Sequence, residues 1–185
     1  MADASRRLAD DHRAIDRVLN ELKTALENGE VETTHAKLDL FWARLAVHIR
    51  AEHLHLFPAI IAGLREKTPD DSSELALMAA EAAIDELRGD HKFFMDALVE
   101  AVQTIRALGE FSDQRIDLEA LKGIREVVLE IERRLVLHNQ VEENKVYRWV
   151  GVALSEQKQS ELVTEIEREL ANKPPRFSTE EWELP

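Results

Sequence analysis

Apolar residues recur every three or four positions along most of the chain, which is the spacing of an amphipathic helix. Four such stripes cover residues 8–26, 38–56, 77–105 and 121–146, and a shorter one lies within residues 155–171. No stretch has the alternating pattern of a half-buried strand. The pattern therefore predicts an all-α protein: an up-and-down four-helix bundle followed by a short C-terminal helix and an extended tail.

The ends of these helices are marked by glycine, proline and short polar residues. Asn28-Gly29 predicts the end of the first helix, and Pro58 should kink or end the second because it removes a hydrogen bond to residue 54. Residues 68–73 are expected to form a loop that carries a helix N-cap, and Pro174-Pro175 should end the last helix. We expect a bundle domain over residues 1–152 and a C-terminal helix and tail over residues 153–185.

Composition limits the chemistry that this bundle can perform. The 185 residues include 24 basic and 37 acidic side chains, for a net charge of −13, without a block of Lys and Arg that would bind nucleic acid. No apolar run approaches the ~18 residues of a membrane span, and no secretory signal is present, so a cytoplasmic protein is expected. Cysteine is absent, which excludes thiol catalysis, iron–sulfur clusters and disulfides. Any metal site must therefore be built from His and carboxylate side chains.

Four of the seven histidines fall on the apolar stripes, one per helix, and two of these are followed four residues later by a glutamate. Residues four apart share one helix face, so such a pair can offer a nitrogen and an oxygen to the same metal ion or to two ions that share the carboxylate. The six residues are His12, His48, Glu52, His91, His138 and Glu142.

The two halves of the chain repeat these features in the same order. Asp11-His12-Arg13 corresponds to Asp90-His91-Lys92, and the two His-x-x-x-Glu motifs are followed by Phe57 and Tyr147. His91 and His138 reach the same height along the bundle only if the connection between their two helices is long. Residues 109–117 are therefore expected to form a longer, partly irregular loop. A two-fold pseudo-repeat with inward polar residues is the predicted arrangement.

A metal ion explains this arrangement better than a network of neutral hydrogen bonds. Burying two carboxylates without cationic partners costs several kcal/mol each. Six ligands exceed the four of a tetrahedral zinc site, and imidazole with carboxylate suits iron, zinc, manganese or copper. The residues predict a dinuclear transition-metal centre, for which iron fits best and zinc or manganese are substitutes.

At this level of detail the sequence resembles the hemerythrin-like family of His-His-Glu cation-binding domains, over about residues 8–150. The resemblance is carried by Asp11-His12-Arg13, by the run from His48 to Pro58, and by His138-Asn-Gln-Val-Glu142. It implies a four-helix bundle around two non-haem iron ions, with the four stripe histidines as terminal ligands and Glu52 and Glu142 as bridges.

The sequence departs from the oxygen-carrying members of that family at two places. Where they have a further His one turn after the third-helix histidine, this chain has Met95, and where they have the Asp of HxxxxD, it has Glu143. The resemblance therefore favours the bacterial proteins linked with oxygen or nitric-oxide sensing, iron handling or oxidative stress over oxygen carriage.

Other polar residues near the motifs are weaker candidates. His55 lies two turns after His48, and Glu52-x-x-His55 imitates the ligand motif of ferritin-like bundles. His53 and His35 are expected to be exposed, and Tyr147 is expected at the core edge, with a role as an outer hydrogen-bond donor or redox phenol left open.

Three functions remain open at this point. The first is a di-iron protein that binds or senses dioxygen, nitric oxide or peroxide. The second is a ferritin-like iron-handling or peroxide-decomposing enzyme, and the third is a helical scaffold with a relic site. The tail around Trp182 is expected to cover a bundle face or a partner subunit, which leaves a homodimer open.

Overall fold

The protein is all-α, as predicted. The computed structural model describes residues 3–67, 71–108 and 114–182, and this part of the chain contains helices and no strand. The helices are α1 (Ala4–Asn28), α2 (Val31–Ala51), α3 (Phe57–Glu66), α4 (Asp71–Leu108), α5 (Gln114–Val141), α6 (Arg148–Ala153), α7 (Glu156–Leu170) and α8 (Thr179–Trp182).

Two helical hairpins form the bundle. α1 packs against α2 and α4 packs against α5. The hairpins join through contacts of α2 and α3 with α4, of α3 with α6 and of α1 with α5. α7 packs on α1 and α2, outside the four-helix core. The centre is filled by fully buried aromatic and aliphatic side chains, among them Phe41, Phe57 and Phe94. None of the described helices is long and apolar enough to cross a membrane.

Each hairpin has one π-helical turn, directly after its His-x-x-x-Glu motif. The turns are Glu52–Leu56, between α2 and α3, and Glu142–Val146, before α6. Their wider hydrogen bonds run from the Phe57 amide to the Glu52 carbonyl and, at 2.8 Å, from the Tyr147 amide to the Glu142 carbonyl. Pro58 lies just beyond the first turn, so the predicted interruption of the second helix takes this form.

The predicted helix ends agree with the structure in part. Gly29 follows α1 in the left-handed conformation, with a φ of 72°, which only glycine adopts without strain. Ser155 caps α7, its hydroxyl accepting a hydrogen bond from the Lys158 amide at 3.4 Å.

The predicted loops are partly wrong. Residues 68–70 and 109–113 lie outside the described residues, but residues 71–73 belong to α4 and residues 114–117 to α5.

The tail folds back onto the bundle. Trp182 is buried, and its indole N–H donates to the Leu170 carbonyl at 3.0 Å. The Trp182 carbonyl accepts a hydrogen bond from Arg44 of α2, whose guanidinium also lies 5.2 Å from the centre of the indole ring. The tail therefore covers a face of its own bundle, one of the two roles expected for it.

Candidate metal centre

The structure brings all six predicted polar residues together in the middle of the bundle. α1 and α4 each supply one histidine, while α2 and α5 each supply one histidine and end where the glutamate begins a π-helical turn. Each of the six is at most 4% exposed, and both glutamates are fully buried. Such burial of two carboxylates requires a cation or a complete set of hydrogen bonds.

One half of the centre joins the first hairpin's histidines. His12 Nε2 lies 3.0 Å from His48 Nε2 and 3.1 Å from Glu142 Oε2. His48 Nε2 lies 3.7 Å from Glu52 Oε1. Glutamates of both hairpins thus approach this histidine pair.

The other half joins the second hairpin's histidines in the same way. His91 Nε2 lies 2.9 Å from His138 Nε2 and 3.4 Å from Glu52 Oε2. Glu142 Oε1 is 2.9 Å from His138 Nε2 and 3.7 Å from His91 Nε2. Each glutamate therefore presents one oxygen to each histidine pair, which is the disposition of a bridging carboxylate.

The second nitrogen of every ring is held by an outer partner. Asp11 Oδ2 lies 2.9 Å from His48 Nδ1, and Asp90 Oδ2 lies 3.3 Å from His138 Nδ1. Glu143 Oε1 lies 2.9 Å from His12 Nδ1, and His53 Nε2 lies 2.8 Å from His91 Nδ1. These outer contacts fix the plane of each ring, as they do around metal-binding histidines in general.

Three of these outer partners determine the tautomer of the ring that they hold. A carboxylate accepts hydrogen bonds, so His12, His48 and His138 carry a proton on Nδ1, and in the neutral form of each ring the Nε2 atom presents a lone pair to the centre. Two lone pairs face each other across 3.0 Å in the His12–His48 pair, an arrangement that repels unless a cation or proton lies between them. Nitrogen lone pairs converging with carboxylates are the donors that a transition metal needs.

The spacing of the donor atoms also fits a metal ion. Ligands bonded at about 2.1 Å lie about 3.0 Å apart at right angles and about 3.4 Å apart at tetrahedral angles. The donor atoms within each half are 2.9 to 3.7 Å apart. Two groups of donors close enough to share an ion are therefore present: His12, His48 and Glu142, and Glu52, His91, His138 and Glu142.

One oxygen of each glutamate lacks a hydrogen bond. Glu52 Oε2 and Glu142 Oε1 are buried without a hydrogen-bond partner, although the latter lies 2.9 Å from His138 Nε2. Both atoms face the His91–His138 pair. A buried carboxylate oxygen without a donor is costly, and a metal ion between it and the imidazoles would satisfy it.

The electrostatics of the two glutamates are strongly unequal in this arrangement. Burial, and then the charge of Glu142, raise the pKa of Glu52 well above its usual range. Burial also acts to raise the pKa of Glu142, but the neighbouring imidazoles, His138 first, lower it well below its usual value. Burial lowers the pKa of His91 to about 4, whereas Glu142 and Glu143 raise the pKa of His12 against the effect of burial. The imidazoles therefore supply only part of the positive charge that would balance the two carboxylates.

Tyr147 lies inside the centre, so its predicted place at the core edge is wrong. Its hydroxyl oxygen is 3.1 Å from Glu52 Oε1, 3.4 Å from Glu142 Oε2 and 3.3 Å from His12 Nε2. In a regular α-helix, a residue five positions after Glu142 lies about 140° around the axis from it. The π-helical turn reduces that angle and directs the phenol towards the centre.

The weaker histidine candidates are now located. His53 is partly buried and contacts His91, so the prediction that it is exposed is wrong, and His35 is also partly buried. His55 points away from the centre and lies 3.4 Å from Glu165 of α7. Met95 packs against the apolar core.

Sequence reasoning missed the outer partners Asp11, Asp90 and Glu143. The repeated Asp-His dipeptide was visible, but each aspartate holds the histidine of the neighbouring helix rather than its own neighbour in sequence. Asp11 also forms a buried ion pair with Arg44 at 3.1 Å, which links the centre to the Trp182 tail.

Comparison with known families agrees with this geometry. The model of the hemerythrin HHE cation-binding domain matches residues 3–150, which include both hairpins and all six predicted residues. No curated protein and no solved structure matches the chain. The family model matches most of the chain, and the chain has the buried His and Glu cluster of a cation site. The chain therefore belongs to the family of hemerythrin HHE cation-binding domains.

Proposed function

We propose that the protein holds a non-haem di-iron centre that binds or senses a small oxidant or diatomic molecule: dioxygen, nitric oxide or peroxide. The observation that carries the proposal is the convergence of four imidazole Nε2 atoms on two fully buried glutamates. His12 and His48 would hold one ion, His91 and His138 the other, and Glu52 and Glu142 would bridge them.

The donor set favours iron and two ions. Each ion would receive two nitrogens and one oxygen from each glutamate, which is fewer than the six ligands of an octahedral site. Nitrogen and oxygen donors without thiolate suit iron, while zinc or manganese could occupy the same residues. Bound iron would supply reversible one-electron chemistry and free coordination positions for a small ligand.

The surrounding residues keep the centre ordered and shielded from bulk water. Phe57 stacks on His91 with ring centres 6.1 Å apart, and Phe94 meets His138 edge-on at 5.3 Å. Asp11, Asp90 and Glu143 keep their histidines in the tautomer that presents Nε2 inward, and their charge makes those rings better donors. A small uncharged ligand can enter such a site more readily than a large polar one.

The test is metal analysis of aerobically purified protein, with absorption spectra before and after dithionite. We expect about two iron ions per chain and near-ultraviolet bands that bleach on reduction. Glu52→Ala should lose most of the metal, whereas Glu119→Ala, a change at an exposed position, should keep it. An absence of metal after anaerobic reconstitution with Fe(II) would contradict the proposal.

Titration with nitric oxide then separates binding from turnover. A response that saturates at the concentration of centres supports a binding or sensing role. Oxidation of many equivalents of Fe(II) per chain would instead indicate an iron-handling enzyme.

A further inference from the structure

We propose that the phenol oxygen of Tyr147 is a ligand to the ion held by His12 and His48, so that the ion held by His91 and His138 keeps one more open position for a small ligand. This inference rests on the proposed di-iron function. It makes the two halves of a pseudo-symmetric centre chemically different.

The position of the phenol oxygen is that of a donor atom. It lies 3.1 to 3.4 Å from Glu52 Oε1, Glu142 Oε2 and His12 Nε2, all of which face the first histidine pair. These separations equal those among the histidine and glutamate donors themselves. The oxygen therefore occupies a fifth corner of one coordination sphere rather than a place outside it.

The equivalent position in the other repeat carries no donor. Phe57 follows Glu52 as Tyr147 follows Glu142, at the end of an identical π-helical turn. Phe57 is fully buried and stacks on His91, so the second histidine pair meets an apolar ring where the first meets a hydroxyl. The ion of the second pair would have one protein ligand fewer.

The outer partners also make the first histidine pair the stronger set of donors. Carboxylates hold both rings of the first pair, from Asp11 and Glu143, and carboxylates strengthen the donor power of an imidazole. In the second pair His91 is held by the neutral ring of His53, at the position equivalent to Glu143. The first ion is thus supplied with more electron density, and the second stays the better acceptor for a ligand.

A surface cavity lies beside the second histidine pair. His138 and its partner Asp90 line a surface cavity of about 200 Å³ together with Arg134 and Leu137. A diatomic molecule or azide fits within this volume. The cavity and the additional open coordination position would therefore lie beside the same histidine pair.

The experiment uses the iron-loaded, oxidised full chain and four proteins: wild type, Tyr147→Phe, Phe57→Tyr, and the double variant that exchanges the two side chains. We expect wild type to show a visible phenolate-to-iron(III) charge-transfer band, with tyrosine ring modes in the resonance Raman spectrum. Tyr147→Phe should lose the band and the ring modes while keeping about two iron ions per chain.

Azide is the probe for open positions. With five protein ligands on the first ion and four on the second, wild type should bind less azide per chain than Tyr147→Phe. Phe57→Tyr should strengthen the charge-transfer band and weaken azide binding, because it adds a phenol beside the second ion. The double variant should regain the band and the azide stoichiometry of wild type.

The outcomes distinguish this inference from the function on which it rests. Wild type that holds iron but lacks the phenolate band overturns the ligand assignment and leaves the di-iron centre in place, with Tyr147 as a hydrogen-bond donor to Glu52. The wild-type spectrum gives this result even if a variant fails to fold. Protein that binds no iron overturns both.

Discussion

Replacement of Glu52 by Gln should have opposite consequences in the metal-free and the metal-bound protein. In the metal-free protein, burial and the neighbouring Glu142 raise the pKa of Glu52 well above its usual range, which favours the neutral form of this side chain. Glutamine has the same shape and no charge. The free energy of unfolding of the metal-free protein should therefore change by less than about 1 kcal/mol.

The metal-bound protein should lose stability through weaker binding. A bridging carboxylate contributes to both ions, and a 100-fold loss of affinity corresponds to about 2.7 kcal/mol of linked stability when metal is in excess. For a chain of this size each kcal/mol moves the melting temperature by about 2–4 °C. The melting temperature of the metal-loaded variant should fall by about 5–10 °C relative to loaded wild type.

The assay is thermal unfolding followed by circular dichroism, with and without metal, for wild type, Glu52→Gln and Glu119→Gln. Glu119 is exposed and pairs with Lys122, so its variant should match wild type in both states. A Glu52→Gln variant whose melting temperature drops equally with and without metal would refute the reasoning, because the carboxylate would then act in packing alone.

Three further predictions concern an outer partner of the centre, the packing of the bundle, and the protons released on metal binding. Asp11→Asn should lower metal affinity about 10- to 100-fold, measured by chelator competition, because the ring that it orients loses its carboxylate; unchanged affinity would contradict this role. Gly63→Ala should cost about 1–3 kcal/mol in chemical denaturation, since its Cβ would lie 2.6 Å from the Ala153 carbonyl oxygen. Gly123→Ala, in open space on α5, should stabilise by about 1 kcal/mol and is the matched control; equal effects would refute the packing argument. Metal binding should release protons and strengthen as pH rises, because the raised pKa values of Glu52 and His12 favour the protonated forms of both side chains in the metal-free protein. Calorimetry in buffers of different ionisation enthalpy measures this release, and a buffer-independent heat would contradict it.

The six inward polar residues were predictable because helical spacing alone decides which face they share. His48 and Glu52 lie one turn apart on an apolar stripe, and the same holds in the second repeat. When the apolar faces of the two hairpins pack against each other, the His and Glu side chains on those faces are brought into the centre of the bundle. That part of the centre follows from periodicity and the cost of burying charge.

The residues that were missed depend on departures from the regular helix and on neighbouring helices. In a regular α-helix Tyr147 would lie about 140° around the axis from Glu142, but the π-helical turn at Glu142 changes that angle. Asp11 reaches the histidine of the next helix, which no spacing within one helix predicts. Pro58 indicated that the second helix is interrupted, but the other π-helical turn has no proline.

The most direct test of the central claim is a crystal structure of the iron-loaded protein with diffraction data collected on both sides of the iron absorption edge. Two anomalous peaks should appear, one between His12 and His48 and one between His91 and His138, with Glu52 and Glu142 contacting both. A single peak, or peaks away from these histidines, would contradict the account of a bridged pair of ions at the centre of the bundle.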